Sequence, residues 1–125
     1  MGQARTFWRS ERGAGTVEFV LVLPLLLLLT VGFVNLCFLL YAATSLHYAA
    51  QDAARCRTIK TAVCADDATT QTYALGRYSG PKISAAFIAT QPACGNQVVG
   101  SGSYSLRTGF RTLTVPLSAT ACFPK

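Results

Sequence analysis

Charge is scarce in this sequence: 13% of its residues are charged, and five acids stand against 11 lysines and arginines. Histidine occurs once, at His47, and no two cysteines stand in a C-x-x-C pair, so the ligand spacing of a zinc site is missing. G-x-S-x-G, the phosphate-binding P-loop and other catalytic signatures are absent as well. A Cys–His nucleophile would have to use His47, which sits in an alanine-rich helical stretch, and that argues against an enzyme. The formal charge of +6 suggests a nucleic-acid partner at first sight. Three of the positives are clustered in the first 13 residues, though, and the other eight are scattered without a basic run, so no nucleic acid is expected. The pattern calls for no metal or cofactor.

The largest presence is a run from Phe19 to Ala43 that carries no charge, with Thr30 and Asn35 its clearly polar members. At 1.5 Å per residue it reaches about 37 Å, enough to cross a hydrocarbon core of about 30 Å with some tilt. A buried core helix of that length would need more protein around it than the 82 residues that follow can supply. Pro24 lies near the start of the run, where a proline is most easily tolerated. Arg5, Arg9 and Arg12 precede it against Glu11 alone, and the next basic residue is Arg55. Positive charge stays on the cytoplasmic side, which predicts a single-pass inner-membrane protein with its N-terminus inside and its C-terminal part exported. Gly32 and Asn35 share a face and mark a packing spot for a neighbouring helix.

From Ala42 to Ile59 neither glycine nor proline occurs. Ala42, Leu46, Ala49, Ala50, Ala53 and Cys56 recur at spacings of three and four, which predicts an amphipathic continuation of one helix, roughly Gly15–Ile59, with a narrow small-residue stripe. Residues 1–13 promise no fold. Asp66 and Asp67 could bind a cation, but they stand before Ala68–Tyr78, a short helix, where Asp is a favoured N-cap. Beyond Gly80-Pro81, strands are expected over Lys82–Thr90, Gln97–Leu106 and Phe110–Cys122, with turns at Gln91–Asn96 and Arg107-Thr108-Gly109. Gly100 and Gly102 are expected to weaken or bulge the middle strand, and Pro116 to place the third at an edge or after it. The fold class is α+β: a long transmembrane helix continuing into an exported helix, a short second helix and a small three-stranded antiparallel sheet. The boundaries are a basic leader 1–13, a transmembrane helix 14–43, an exported extension and turn 44–64 and a disulfide-stapled head 65–125.

Glu18 stands at the mouth of the apolar run, where a carboxylate is costly unless paired or near the interface. Gly13, followed by four residues and then Glu18-Phe19, resembles the processing site of type IV pilin-like proteins, above all the Flp/Tad branch. The stretch Gly13-Ala14-Gly15-Thr16-Val17-Glu18-Phe19 with the leucines behind it looks like TadE-like pseudopilins, as do Tyr41-Ala42-Ala43 and Ala49–Arg55. Phe19 where major pilins usually carry tyrosine, and a chain much longer than theirs, favour a minor component. The resemblance implies cleavage by a prepilin peptidase between Gly13 and Ala14. It also implies an assembly role for Glu18, paired with the freed amino group of Ala14 on a neighbouring subunit, and a part in pilus biogenesis and adherence. Other pilin or pseudopilin subunits, the Tad inner-membrane platform and the bilayer would be its partners. The rival reading is an unprocessed single-pass anchor that presents a small adhesive or accessory domain.

Four cysteines, Cys56, Cys64, Cys94 and Cys122, lie beyond the span and predict two disulfides in an oxidising compartment. If the strands form a meander, the turn holding Cys94 and the end of the third strand with Cys122 fall at one end of the sheet, which leaves Cys56 for Cys64. On an unbroken helix those two would be about 12 Å apart, so the helix must end between them, near Ile59. Cys37 is expected to stay a reduced, packed thiol in the span.

Overall fold

The computed structural model describes residues 4–125. They form two helices and three strands, α1 (Ala4–Ile59), α2 (Asp67–Arg77), β1 (Ala86–Thr90), β2 (Asn96–Arg107) and β3 (Thr112–Phe123). The chain divides into two units, residues 1–34 and 35–125. Within the first unit the backbone is helical from Ala4, so the segment taken as an unfolded leader continues the helix. No proline interrupts residues 4–23, and a glycine inside a helix costs only about 1 kcal/mol, so Gly13 and Gly15 do not stop it. Pro24 is accommodated without a break.

In the second unit, the stripe predicted from spacing is the core. Ala42, Leu46, Ala49, Ala50 and Ala53 are fully buried and Cys56 nearly so, against Phe87, Ala89, Val98 and Ala119 of the sheet and Ile83 of the loop before it. Alanines along one helical face let a sheet approach closely, and each small side chain still removes apolar surface from water. The helix ends at Ile59, and a turn bonded from Cys64 N to Lys60 O (3.0 Å) carries the chain back. That turn brings Cys56 and Cys64 to a Cα separation of 5.9 Å, where they are disulfide-bonded.

Asp66 caps α2. Its Oδ1 accepts from Thr69 N at 2.8 Å, and its own amide donates to Thr69 Oγ1 at 3.1 Å, a reciprocal capping box. The Thr69 amide, then the Thr69 hydroxyl, hold the Asp66 carboxyl below its ordinary range. The helix closes with Tyr78 N donating to Ala74 O at 3.1 Å.

The sheet is an antiparallel meander in the order β1-β2-β3. β1 begins four residues later than expected, at Ala86, because Ser84 takes a left-handed backbone (φ 50°) that a regular strand cannot continue through. β3 is an edge strand, and Pro116 lies within it opposite Ser103. The β2–β3 register runs unbroken from Asn96↔Phe123 to Arg107↔Thr112, so the bulge expected at Gly100 or Gly102 is not there. These glycines make room instead. A Cβ on Gly100 would lie 2.7 Å from Phe87 Cε1 and 3.1 Å from Leu46 Cδ1, and one on Gly102 would lie 2.7 Å from Ile83 Cδ1.

Gly100→Val therefore separates space from strand propensity. By propensity valine should strengthen β2, whereas overpacking against Phe87 and Leu46 should cost about 1–3 kcal/mol. We expect a lower urea midpoint with an unchanged slope for the detergent-solubilised chain. A midpoint at or above the parent's would show that the glycine is not there for space.

Candidate functional site

Among the described residues, the apolar part of α1 is bare. An 18-residue window within Gly15–Ile59 has a mean hydropathy of 2.6 and is 0% buried. The exposed side chains point all round the helix, from Val17 at 62% and Leu21 at 74% to Leu29 at 63% and Phe33 at 67%. Such a helix is long and apolar enough to cross a membrane. Its bare surface needs lipid, other helices or both. The helical ladder satisfies its backbone internally, as a membrane interior demands.

Gly13, Ala14, Glu18 and Phe19 all lie on this helical backbone. Gly13 is exposed, and the place where a Cβ would stand has nothing within 4 Å. Glu18 lies five residues on, about 7.5 Å along the axis, with its side chain exposed. It has no ion-pair partner among the described residues. Phe19 is 64% exposed. Gly32 has open space beside it, while Asn35, in the second unit, is half-buried. Cys37 is free, but it is exposed on the single chain and not packed as expected.

A family model described as TadE-like protein matches residues 13–55. Over that third of its length the chain is similar to the TadE-like family. The matched segment begins at Gly13, takes in Glu18 and the whole apolar run, and ends at Arg55 among the buried alanines. No curated protein and no solved structure gives a significant match.

The head, outside that segment, is held by its disulfides and a polar clasp. Cys94, in the turn before β2, is bonded to Cys122 near the end of β3 at a Cα separation of 6.3 Å. All four cysteines beyond the apolar run are thereby paired, in the combination that the meander requires. None of the four is a free thiol near His47, which is itself exposed. The paired aspartates are also engaged, Asp66 in the cap and Asp67 in an ion pair with Arg57 of α1. Among the described residues no three His, Cys, Asp or Glu side chains gather as a metal site.

Sequence reasoning missed the second half of the clasp. Tyr73 Oη donates to Asp52 Oδ2 at 3.1 Å and accepts from Arg77 Nε at 3.1 Å, while Arg77 Nε also pairs with Asp52 at 2.8 Å. The Arg77 guanidinium stands 5.2 Å from the Tyr73 ring centroid. The Tyr73 hydroxyl, then Asp52, raise the Arg77 pKa further. The (i, i+4) spacing of Tyr73 and Arg77 was visible in the sequence, but their partner on α1 lies 21 positions before Tyr73, beyond any local pattern.

Proposed function

We propose that this chain is a minor pilin or pseudopilin of a Tad-type pilus system, processed by a prepilin peptidase and inserted by helix packing to support pilus biogenesis and adherence. One observation carries the reading. Gly13 and Glu18 stand on an unencumbered helix at the start of an apolar surface that its own chain leaves bare, inside the segment that matches the family. Residues 1–13 are the leader, 14–43 the membrane helix, 44–64 its exported extension and 65–125 the head. The three leader arginines support a cytoplasmic N-terminus, a periplasmic or extracellular head and an inner-membrane location before assembly. The peptidase cuts between Gly13 and Ala14.

Cleavage changes the electrostatics of the site. It removes Arg5, Arg9, Arg12 and Glu11 and frees an ammonium at Ala14. Glu18 then lies in an apolar layer without the leader's arginines, and the ammonium of a neighbouring subunit is the partner that low dielectric demands. A wrong register leaves both charges unpaired, so one contact sets both affinity and alignment. Gly32, Asn35 and Phe19 lie along the surface that packs on other subunits and on the Tad inner-membrane platform, with lipid covering what remains.

The decisive measurement is the N-terminus of the protein from its native membrane. Intact-mass spectrometry should find a chain beginning at Ala14, and Gly13→Leu should leave the uncut precursor in the membrane. A chain beginning at Met1 or Gly2 in cells with an active prepilin peptidase would instead establish the unprocessed anchor.

A further inference from the structure

β3 leaves one edge of the sheet open. Ser103 N donates to Ile83 O at 3.0 Å, and Ile83 leads into β1, on the side of β2 away from β3. Ser103 is opposite Pro116, so neither residue of that pair bonds across the β2–β3 ladder. The register is unbroken, and the alternation of the ladder carries this phase along the strand. Thr112, Thr114, Pro116, Ser118, Thr120 and Cys122 therefore turn their backbone groups outward, away from β2. Among the described residues none of those amides finds a partner. Pro116 has no N–H to offer, so it costs the ladder nothing and splits the open edge into two short stretches.

The stretch beyond Pro116 faces a groove. In the head, α1 is covered by the sheet along its alanine stripe and by α2 where Asp52 meets Tyr73. A strip between them stays exposed: Tyr48, Gln51 and Arg55, three and four residues apart and so on one face. That strip floors an open groove of about 540 Å³, with Thr120, Cys122 and Phe123 of β3 as its wall. All of these residues belong to the second unit. Charge in the groove is one-sided. Asp52 is bound to Tyr73 and Arg77, Asp67 to Arg57, and Asp66 caps α2. Arg55 is left without an ion pair among the described residues, and residues 68–125 carry no acid.

We propose that this groove docks an extended, acid-bearing segment of another protein, added to β3 as a fourth strand. Its backbone bonds the outward groups of Ser118, Thr120 and Cys122, which gives affinity, and its alternate side chains reach Tyr48 and Arg55, which gives choice. A carboxylate on the Arg55 guanidinium supplies the missing charge. Pro116 ends the addition, so the docked strand pairs with residues 118–123 at most. A second copy does not supply this strand. The chain's five acids lie on α1 or at the start of α2, and none lies in a strand. Docking is independent of cleavage at Gly13.

The full chain in detergent micelles, labelled with nitrogen-15, tests it through the amide signals of Ser118, Thr120 and Cys122. The probes are two short peptides of alternating threonine and valine, one with a central glutamate and one with a central lysine. Millimolar glutamate peptide should move these amides in a saturable way and bind about threefold more tightly than the lysine peptide. Arg55→Gln should remove that preference. Thr120→Pro places a second proline where the N–H also points outward, so the β2–β3 ladder signals should stay and docking should be lost. Pro116→Thr should lengthen the usable edge and tighten binding of the same peptides. Edge amides unmoved at millimolar peptide overturn the proposal, as does binding that survives Thr120→Pro. Equal binding of the two peptides overturns the acidic partner. Concentration-dependent shifts at the same amides without peptide assign the edge to a second copy and also overturn it.

Discussion

Glu18→Ala protein is expected to insert and to be cut after Gly13, yet to enter pili at least about a hundredfold less well than the parent. The motive is an exposed carboxylate at the start of an apolar helix, with no ion-pair partner among the described residues. On the proposed function, that carboxylate and the Ala14 ammonium move together into low dielectric when subunits pack. Removing one member of such a pair strands the other, at about 3–5 kcal/mol. Glu18→Gln keeps the shape and loses the charge, so it should fail nearly as badly. The assay compares pilus-associated with membrane-associated protein in the same cells, with the N-terminus read by mass spectrometry. Normal pili and adherence with Glu18→Ala would remove the register role. Failure of insertion would instead place Glu18 in the membrane step.

The double change Cys94→Ala with Cys122→Ala should cost the head about 3–4 kcal/mol, on the loop-entropy account of a bridge spanning 28 residues. The pair Cys56→Ala with Cys64→Ala, closing eight residues, should cost about 1 kcal/mol less. Denaturant unfolding of the detergent-solubilised chain checks the order. A larger loss from the short loop would show that native contacts around the helix end outweigh chain entropy. Non-reducing peptide mapping accompanies the measurement, because a Cys56–Cys94 or Cys56–Cys122 fragment would break the meander argument at its root.

Much of the fold was legible because local chemistry and tertiary structure agree. The stripe from Ala42 to Cys56 could be read from its spacing, and its members are the residues the sheet covers. Asp66 could be read as a cap because a short acceptor before a run of helix formers has one good use. The cysteine pairing followed from topology, since a meander leaves little choice. What stayed hidden depends on distant neighbours. Gly100 and Gly102 look like strand weaknesses until Phe87, Leu46 and Ile83 are seen filling the space beside them. The left-handed Ser84 has no local signature, so the start of β1 was set too early. Asp52 is tied to Tyr73 and Arg77 on α2, a contact no local pattern announces. At the site, Gly13 and Glu18 were visible by their spacing. The bareness of the surface around them is a property of the folded chain, and it makes them available to other molecules.

The disulfides also set how far the head can lengthen when pulled. A chain under tension gives up at most about 3.4 Å per residue released. The Cys94–Cys122 bridge withholds 28 residues, about 95 Å of contour, and the Cys56–Cys64 bridge withholds eight more, about 27 Å. An oxidised chain is therefore a short tether even after its sheet has torn, and a reduced one releases more than about 100 Å of extra slack. Redox state thereby sets the reach of the head under force.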